Sequence, residues 1–346
     1  MGKTTTALKL TRYAKNPILG PVPGSSWESA YVTNPGAWFD GKQVTLLYRA
    51  GPDTPQHPIY FGMATSTDGF QFTKVQAEPV LGPSQDGFDA GCIEDPRIVK
   101  FGQTYFVTYA ARMFCPGRYW IKGTGLQDFN PPMPAEAPFA VRANITRSGI
   151  ALTEDFKKWY RCGPITPANV DDRDVIIFPE QIDGWFVMLH RPATWIGPEY
   201  GCLKPSMWMS FSEDLLNWEN DNLLARPHYA WESRKIGGST PPLRTEAGWL
   251  VLYHGVDDRS VYRTGALLLD LNNPRKVLAR TPEPILEPEM DYEINGIVPN
   301  VVFPCGNVII DGKLFVYYGG ADKVCCVATV PVADLVDYLL DNPWKD

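Results

Sequence analysis

The chain has 346 residues, including 30 glycines, 32 prolines and 12% aromatic residues, a composition that suits many short strands joined by turns. Acidic side chains outnumber basic ones by 39 to 32, for a formal net charge of −7; with no Lys/Arg block, this argues against a nucleic-acid partner. No apolar run of about 18 residues is present to span a bilayer.

The first residues, MGKTTTALKLTRYAKNPIL, lack the apolar core of a signal peptide. Gly2-Lys3-Thr4 imitates the end of a phosphate-binding loop, but the upstream glycine and strand are missing. The four histidines, His57, His190, His228 and His254, show no metal-ligand spacing, so neither metal nor cofactor is expected. Seven irregularly spaced cysteines, with Cys325 and Cys326 adjacent, read as reduced thiols, and the expected compartment is the cytoplasm.

An internal repeat decides the expected fold. The motif x-Pro-[Ile/Val]-Leu-x-Pro occurs at Asn16–Pro21, Glu78–Pro83 and Glu283–Pro288, with weaker forms at Gly163–Pro167 and Asn222–Pro227. The spacings of 62, 85, 59 and 61 residues fit a unit of about sixty with one insertion. Within each unit a Pro precedes a Gly-containing turn and a strand ending in an aromatic residue or His: Leu47-Tyr48-Arg49, Thr108-Tyr109-Ala110, Leu189-His190-Arg191, Leu252-Tyr253-His254 and Val316-Tyr317-Tyr318. A further element, as in Ala64–Asp68, Ala151–Asp155 and Met209–Asp214, is degenerate in units four and five. Such a sheet cannot bury both faces alone, but several packed around an axis can. The expectation is an all-β, five-bladed β-propeller, one domain over residues 1–346, with a short C-terminal helix at Val332–Leu340.

Equivalent positions of a propeller converge on its axis. After the aromatic or His position come Arg49, Ala110, Arg191, His254 and Tyr318; before the Pro come Asn34, Asp95, Phe178, Pro241 and Phe303. Charged groups on inner strands are seldom buried unpaired. They fit either a structural salt-bridge network or an active site at the axis.

The segments Thr33-Asn34-Pro35-Gly36, Ile93-Glu94-Asp95-Pro96-Arg97, Phe178-Pro179-Glu180, His190-Arg191-Pro192, Lys235-Ile236-Gly237, Leu252-Tyr253-His254-Gly255 and Val298–Pro304 resemble glycoside hydrolase family 130. The resemblance runs from about Tyr13 to Asp322. It implies an inverting β-mannoside phosphorylase, or a β-1,2-mannosidase, on a five-bladed propeller. It also implies Asp95 as general acid, working through a sugar hydroxyl, with a pairing of Asp95 to Arg97 as the structural alternative. The family's phosphate set falls on Arg173, Arg191, Lys235 and His254, for which guanidinium forks and an ammonium are suited. Asn34, Arg49 and Asp322 match the mannose-binding positions, and Tyr318 is a candidate either for stacking on a sugar face or for the core. The family's mannosidases carry carboxylates where the phosphate contacts stand; none replaces those four here, which favours phosphorolysis with inorganic phosphate as co-substrate. Arg173, in Asp171-Asp172-Arg173-Asp174, also fits a solvated surface residue.

Glu180 is the candidate second carboxylate, with a structural role beside Pro179 as its competitor. Gly237–Pro242 departs from the family's usual Gly-x-Gly-Pro-Pro-Pro. The excess in unit two lies at about 113–138, and a long aromatic loop of this kind is expected to wall the acceptor side of the pocket or to cover its own aromatics. The expected partners are a β-mannoside and phosphate, with a homo-oligomer compatible and no nucleic acid or membrane. A hydrolase or a non-catalytic carbohydrate-binding propeller are the alternatives; linkage and acceptor stay open.

Overall fold

The computed structural model describes residues 7–345, and Gly2-Lys3-Thr4 lies outside them. A short strand, β1 (Thr11–Arg12), precedes five antiparallel sheets. Blade one holds β2 (Tyr31–Phe39), β3 (Val44–Gly51), β4 (Tyr60–Ser66) and β5 (Thr73–Lys74); blade two holds β6 (Cys92–Phe101), β7 (Thr104–Arg112), β8 (Arg147–Thr153) and β9 (Tyr160–Pro164). Blade three runs β10 (Asp172–Ile177), β11 (Phe186–Pro192), β12 (Met207–Ser212) and β13 (Glu219–Ala225). Blade four runs β14 (Lys235–Gly238), β15 (Leu243–Arg244), β16 (Trp249–Val256), β17 (Tyr262–Leu269) and β18 (Val277–Arg280). Blade five joins β19 (Val302–Ile310), β20 (Lys313–Gly320) and β21 (Val324–Pro331) to β1, so both chain ends build one sheet and close the ring. This is the expected five-bladed propeller. The short helices are α1 (Phe139–Arg142), α2 (Asp291–Ile294) and α3 (Val332–Leu340); α3 buries Leu335, Tyr338 and Leu339.

The repeat motifs acquire distinct jobs. The Pro-Ile-Leu segment bridges back to the third strand of a blade: Leu19 to Cys325, Leu81 to Phe61 and Leu286 to Thr264. Its first copy therefore belongs to blade five. Gly41, Gly102, Gly184, Gly248 and Gly312, in the hairpins between first and second strands, all have positive φ, which an L side chain adopts only with strain. Asp68, Asp155 and Asp214 accept two backbone N–H groups each in the turns before the outer strand. Asp270 does the same in blade four, so that element persists where the sequence reads as degenerate.

Each blade also carries a buried clasp. A second-strand side chain meets a carboxylate from near the start of the inner strand: Tyr48 with Glu28 (3.3 Å), Tyr109 with Asp89 (2.9 Å), His190 with Asp172 (2.8 Å), Tyr253 with Glu232 (3.0 Å) and Tyr318 with Glu293 (2.7 Å). In four blades a base from the outermost strand completes it: Lys74, Arg161, Arg280 and Arg12. In blade three Ser210 connects His190 to Asp221 instead. Of the two expectations for Tyr318 the core role holds: it is a buried clasp residue and not a sugar platform. The axial position of blade five falls one residue later, on Gly319, opposite Phe303.

Glu232 is fully buried between Arg280 at 2.6 Å and Tyr253, and removing one partner of a buried pair strands the other charge. Glu232→Gln is expected to cost about 3–5 kcal/mol, read as a lowered denaturant midpoint. The double variant with Arg280→Met is expected to cost less than the sum of the two single changes.

Candidate active site

The inner strands are interrupted at one level. Register shifts lie between Thr33 and Gly36, Glu94 and Arg97, and Arg173 and Ile176. Asn34, Asp95 and Asp174 occupy these bulges with φ of 49°, 53° and 57°. Bulges re-aim side chains, and all three line one cavity of about 250 Å³ at the axis. The second strands contribute Arg49, Arg191 and His254; the register partners of the first two, Thr33 and Arg173, sit beside the bulges, and that of His254 is Gly237. Lys235 opens β14, and Asp322 reaches in from the β20–β21 turn. Asp95, Arg173, Arg191, Lys235, His254, Asn34, Arg49 and Asp322 thus all line the same cavity.

On one side, Asp95 Oδ1 accepts from Asn34 Nδ2 at 2.8 Å and Arg49 Nη1 at 3.0 Å. Arg49 also pairs with Glu94 at 2.8 Å and with Asp322 at 3.4 Å. Burial pushes the Asp322 carboxyl up, against the attraction of Arg49. Arg97 does not pair with the Asp95 carboxylate: its Nη1 donates to the Asp95 backbone carbonyl at 2.8 Å. The guanidinium therefore fixes the bulge and leaves Oδ2 without a hydrogen bond to a described residue.

On the other side, Arg173 directs Nε and Nη2 at Asp171, 2.9 and 3.1 Å away, and Arg191 directs Nε at Asp174, 2.6 Å away. Each guanidinium is held by one edge, and its remaining donors are left over. The Lys235 ammonium lies 5.0 Å from the Tyr262 ring centre and makes no hydrogen bond to a described residue. Burial and the nearby charge of Arg191 bring it down to about 7. His254 is brought down to about 3 by burial, so its ring is neutral near pH 7. Its nitrogens face Asp174 at 3.6 Å and Ser239 Oγ at 3.4 Å. Burial alone would raise Asp174, but Arg191 and Arg97 hold it well below the usual carboxylate range.

Some expectations shift. Phe178 is not at the axis but buried against Trp249, ring centres 5.2 Å apart. The blade-three counterpart of Asn34 and Asp95 is Asp174, which the Pro-based alignment misses because Pro179 lies beyond the end of β10, further along the hairpin than Pro35 and Pro96. Glu180 is half-exposed, pairs with Arg244 at 3.0 Å and does not line the cavity. Glu94 and Tyr119 do line it.

A propeller with carboxylates and uncommitted cations in one axial cavity has the makings of a site for a sugar and an anion. The family model described as beta-1,4-mannooligosaccharide phosphorylase matches residues 11–124 and 139–341. A 1,2-beta-oligomannan phosphorylase from Thermoanaerobacter sp. (strain X514) is 37% identical over 95% of this chain and 99% of its own length. A beta-1,2-mannobiose phosphorylase from the same strain is 36% identical over 93% and 97%. The solved beta-1,2-mannobiose phosphorylase from Listeria innocua, in complex with beta-1,2-mannobiose, superposes with a TM-score of 0.78 at 27% identity, covering 96% of this chain and 99% of that one. The chain belongs to glycoside hydrolase family 130. No helix among the described residues is long and apolar enough to cross a membrane.

Lys235 gives the cavity a pH signature. An anion bound beside it favours the ammonium, so above pH 7 binding must take up a proton. Phosphate affinity is expected to fall as pH rises from 7 to 9, by up to about tenfold per unit. Lys235→Ala is expected to bind more weakly and to lose that dependence, as titration calorimetry across this range will show.

Proposed function

We propose that this chain is an inverting β-mannoside phosphorylase, which splits a β-mannosidic bond with inorganic phosphate to give α-mannose 1-phosphate. One observation carries the reading: the uncommitted donors of Arg173, Arg191 and Lys235 meet in the cavity that also holds Asp95. A phosphate dianion is already a nucleophile, so the protein has only to hold and aim it, and guanidinium edges do this with directional hydrogen bonds. In this reading Asn34, Arg49 and Asp322 hold the mannosyl ring. Asp95, whose Oδ2 is not engaged, supplies the proton to the departing oxygen, through a sugar hydroxyl where it does not reach directly. His254, with Nδ1 beside Ser239 Oγ and Nε2 facing Asp174, shapes the phosphate side and contributes no positive charge near neutral pH.

Inversion follows if phosphate attacks the anomeric carbon from the face opposite the leaving sugar. A hydrolase would need a carboxylate base to activate water on that face. Asp174 is the carboxylate lining the cation-rich side, and its charge is bound to Arg191, which makes it a poor base. The two fully covered relatives are named for β-1,2-linked mannosides, and that linkage is the substrate proposed here. Phosphate is the co-substrate, and the reading requires no cofactor.

Incubation with β-1,2- and β-1,4-mannobiose, with and without phosphate, tests this. Mannose 1-phosphate should form only when phosphate is present, faster from the β-1,2 disaccharide. Equal release of free mannose in phosphate-free buffer would establish hydrolysis. Asp95→Asn should lower kcat by about 10²–10⁴-fold with an unchanged melting temperature; full activity would move the acid elsewhere.

A further inference from the structure

The excursion that leaves blade two after Arg112 carries Phe114, Tyr119, Trp120 and Phe129, and the last three have different surroundings. Trp120 stands edge-on to His57 of blade one, ring centres 4.6 Å apart. Phe129 is packed so closely on Gly117 that a Cβ there would lie 2.8 Å from its ring. Phe129 thus covers its own loop, while Trp120 packs against blade one. Tyr119 instead lines the axial cavity together with Glu94 and Arg49 and is 37% exposed, whereas Phe303, across the same cavity, is 7% exposed.

The segment is fastened where it carries Tyr119. The Gly117 N–H donates to the Gln56 carbonyl at 3.0 Å, and Arg118 pairs with Asp53 at 2.9 Å. Buried Asn144 donates to the carbonyls of Phe114 and Leu126 at 3.0 Å each. His57, on which Trp120 rests, has Nδ1 2.8 Å from the Pro52 carbonyl. A carbonyl only accepts, so that nitrogen carries the hydrogen and Nε2 accepts from the Tyr31 hydroxyl at 3.0 Å. The Tyr31 ring lies 5.5 Å from the Arg49 guanidinium, which holds Asp95. Tyr119 is thereby tied to the same frame as the acid. The family model leaves residues 125–138, which include Phe129, unmatched.

We propose that Tyr119 is the specificity-determining platform for the sugar on the leaving-group side of the scissile bond. This rests on the phosphorolysis reading above. Inversion puts the leaving sugar away from phosphate, and Tyr119 adjoins the Arg49–Glu94 pair at the exposed rim of the cavity, where a sugar chain must emerge. The C–H face of a pyranose packs on a flat ring without needing a polar partner.

Kinetics of phosphorolysis of β-1,2-mannobiose, and of synthesis from mannose 1-phosphate with mannose or glucose as acceptor, decide the matter. Tyr119→Ala should raise KM for disaccharide and acceptor about three- to tenfold, as expected for loss of one ring contact, and blunt the preference between acceptors. KM for phosphate should stay within about twofold, and Tyr119→Phe should behave like the wild type. Unchanged acceptor constants, or equal increases for acceptor and phosphate, would overturn the proposal. A wild-type protein that cleaves without consuming phosphate would instead overturn the phosphorolysis reading, a separate result visible before any variant is made.

Discussion

Five strands must pass the axis side by side, and there is barely room for them. A Cβ on Gly36 would lie 2.3 Å from the Pro96 carbonyl oxygen, and one on Gly306 would lie 2.4 Å from the Ala37 nitrogen. Backbone meets backbone here, so neither side can give way cheaply. The crowded strands relieve the register by bulging just before this level. The bulges turn Asn34, Asp95 and Asp174 toward one end of the channel with positive φ, a conformation that Asn and Asp tolerate better than other side chains. The site is thus a consequence of how the ring closes.

Collecting so many cations in one cavity needs compensation, because like charges in a low-dielectric setting repel strongly. The compensation comes from carboxylates placed behind the cations: Asp171 behind Arg173, Asp174 behind Arg191, and Glu94 with Asp95 beside Arg49. Each pair fixes a guanidinium by one edge and leaves the rest of its donors directed. Only Lys235 lacks such a partner among the described residues, and it is the cation whose proton is least secure. The blade clasps follow the same rule away from the axis. There, in four of the blades, a buried carboxylate is shared between a Tyr and a base from the outermost strand, which ties the blade together across its width.

The excursion of blade two adds a second level of construction. Its aromatic contacts cross to blade one, so the wall of the cavity is shared between blades that are neighbours around the ring. Blade-to-blade contact, not the loop's own sequence, sets where Tyr119 stands.

What the sequence determined by itself was the repeat and its chemistry. Periodic Pro and Gly punctuation, alternating strand residues and the second-strand ends Arg49, Arg191 and His254 are local features, and each blade is a local hairpin series. The five-bladed fold, α3 and five of the converging residues, Asn34, Arg49, Asp95, Arg191 and His254, were legible for that reason; Arg173, Lys235 and Asp322 were reached through the family resemblance. The tertiary structure alone decided the phase and the partners. Asp174 in place of Phe178, Tyr318 turned into a clasp, Glu180 on the surface and Arg97 on the Asp95 backbone all depend on register. A shift of one residue in an antiparallel pair exchanges the faces of a strand, and bulges change that count without any fixed mark in the sequence. Only the closure of blade five by β1, and the packing of strands around the axis, settle which face looks inward.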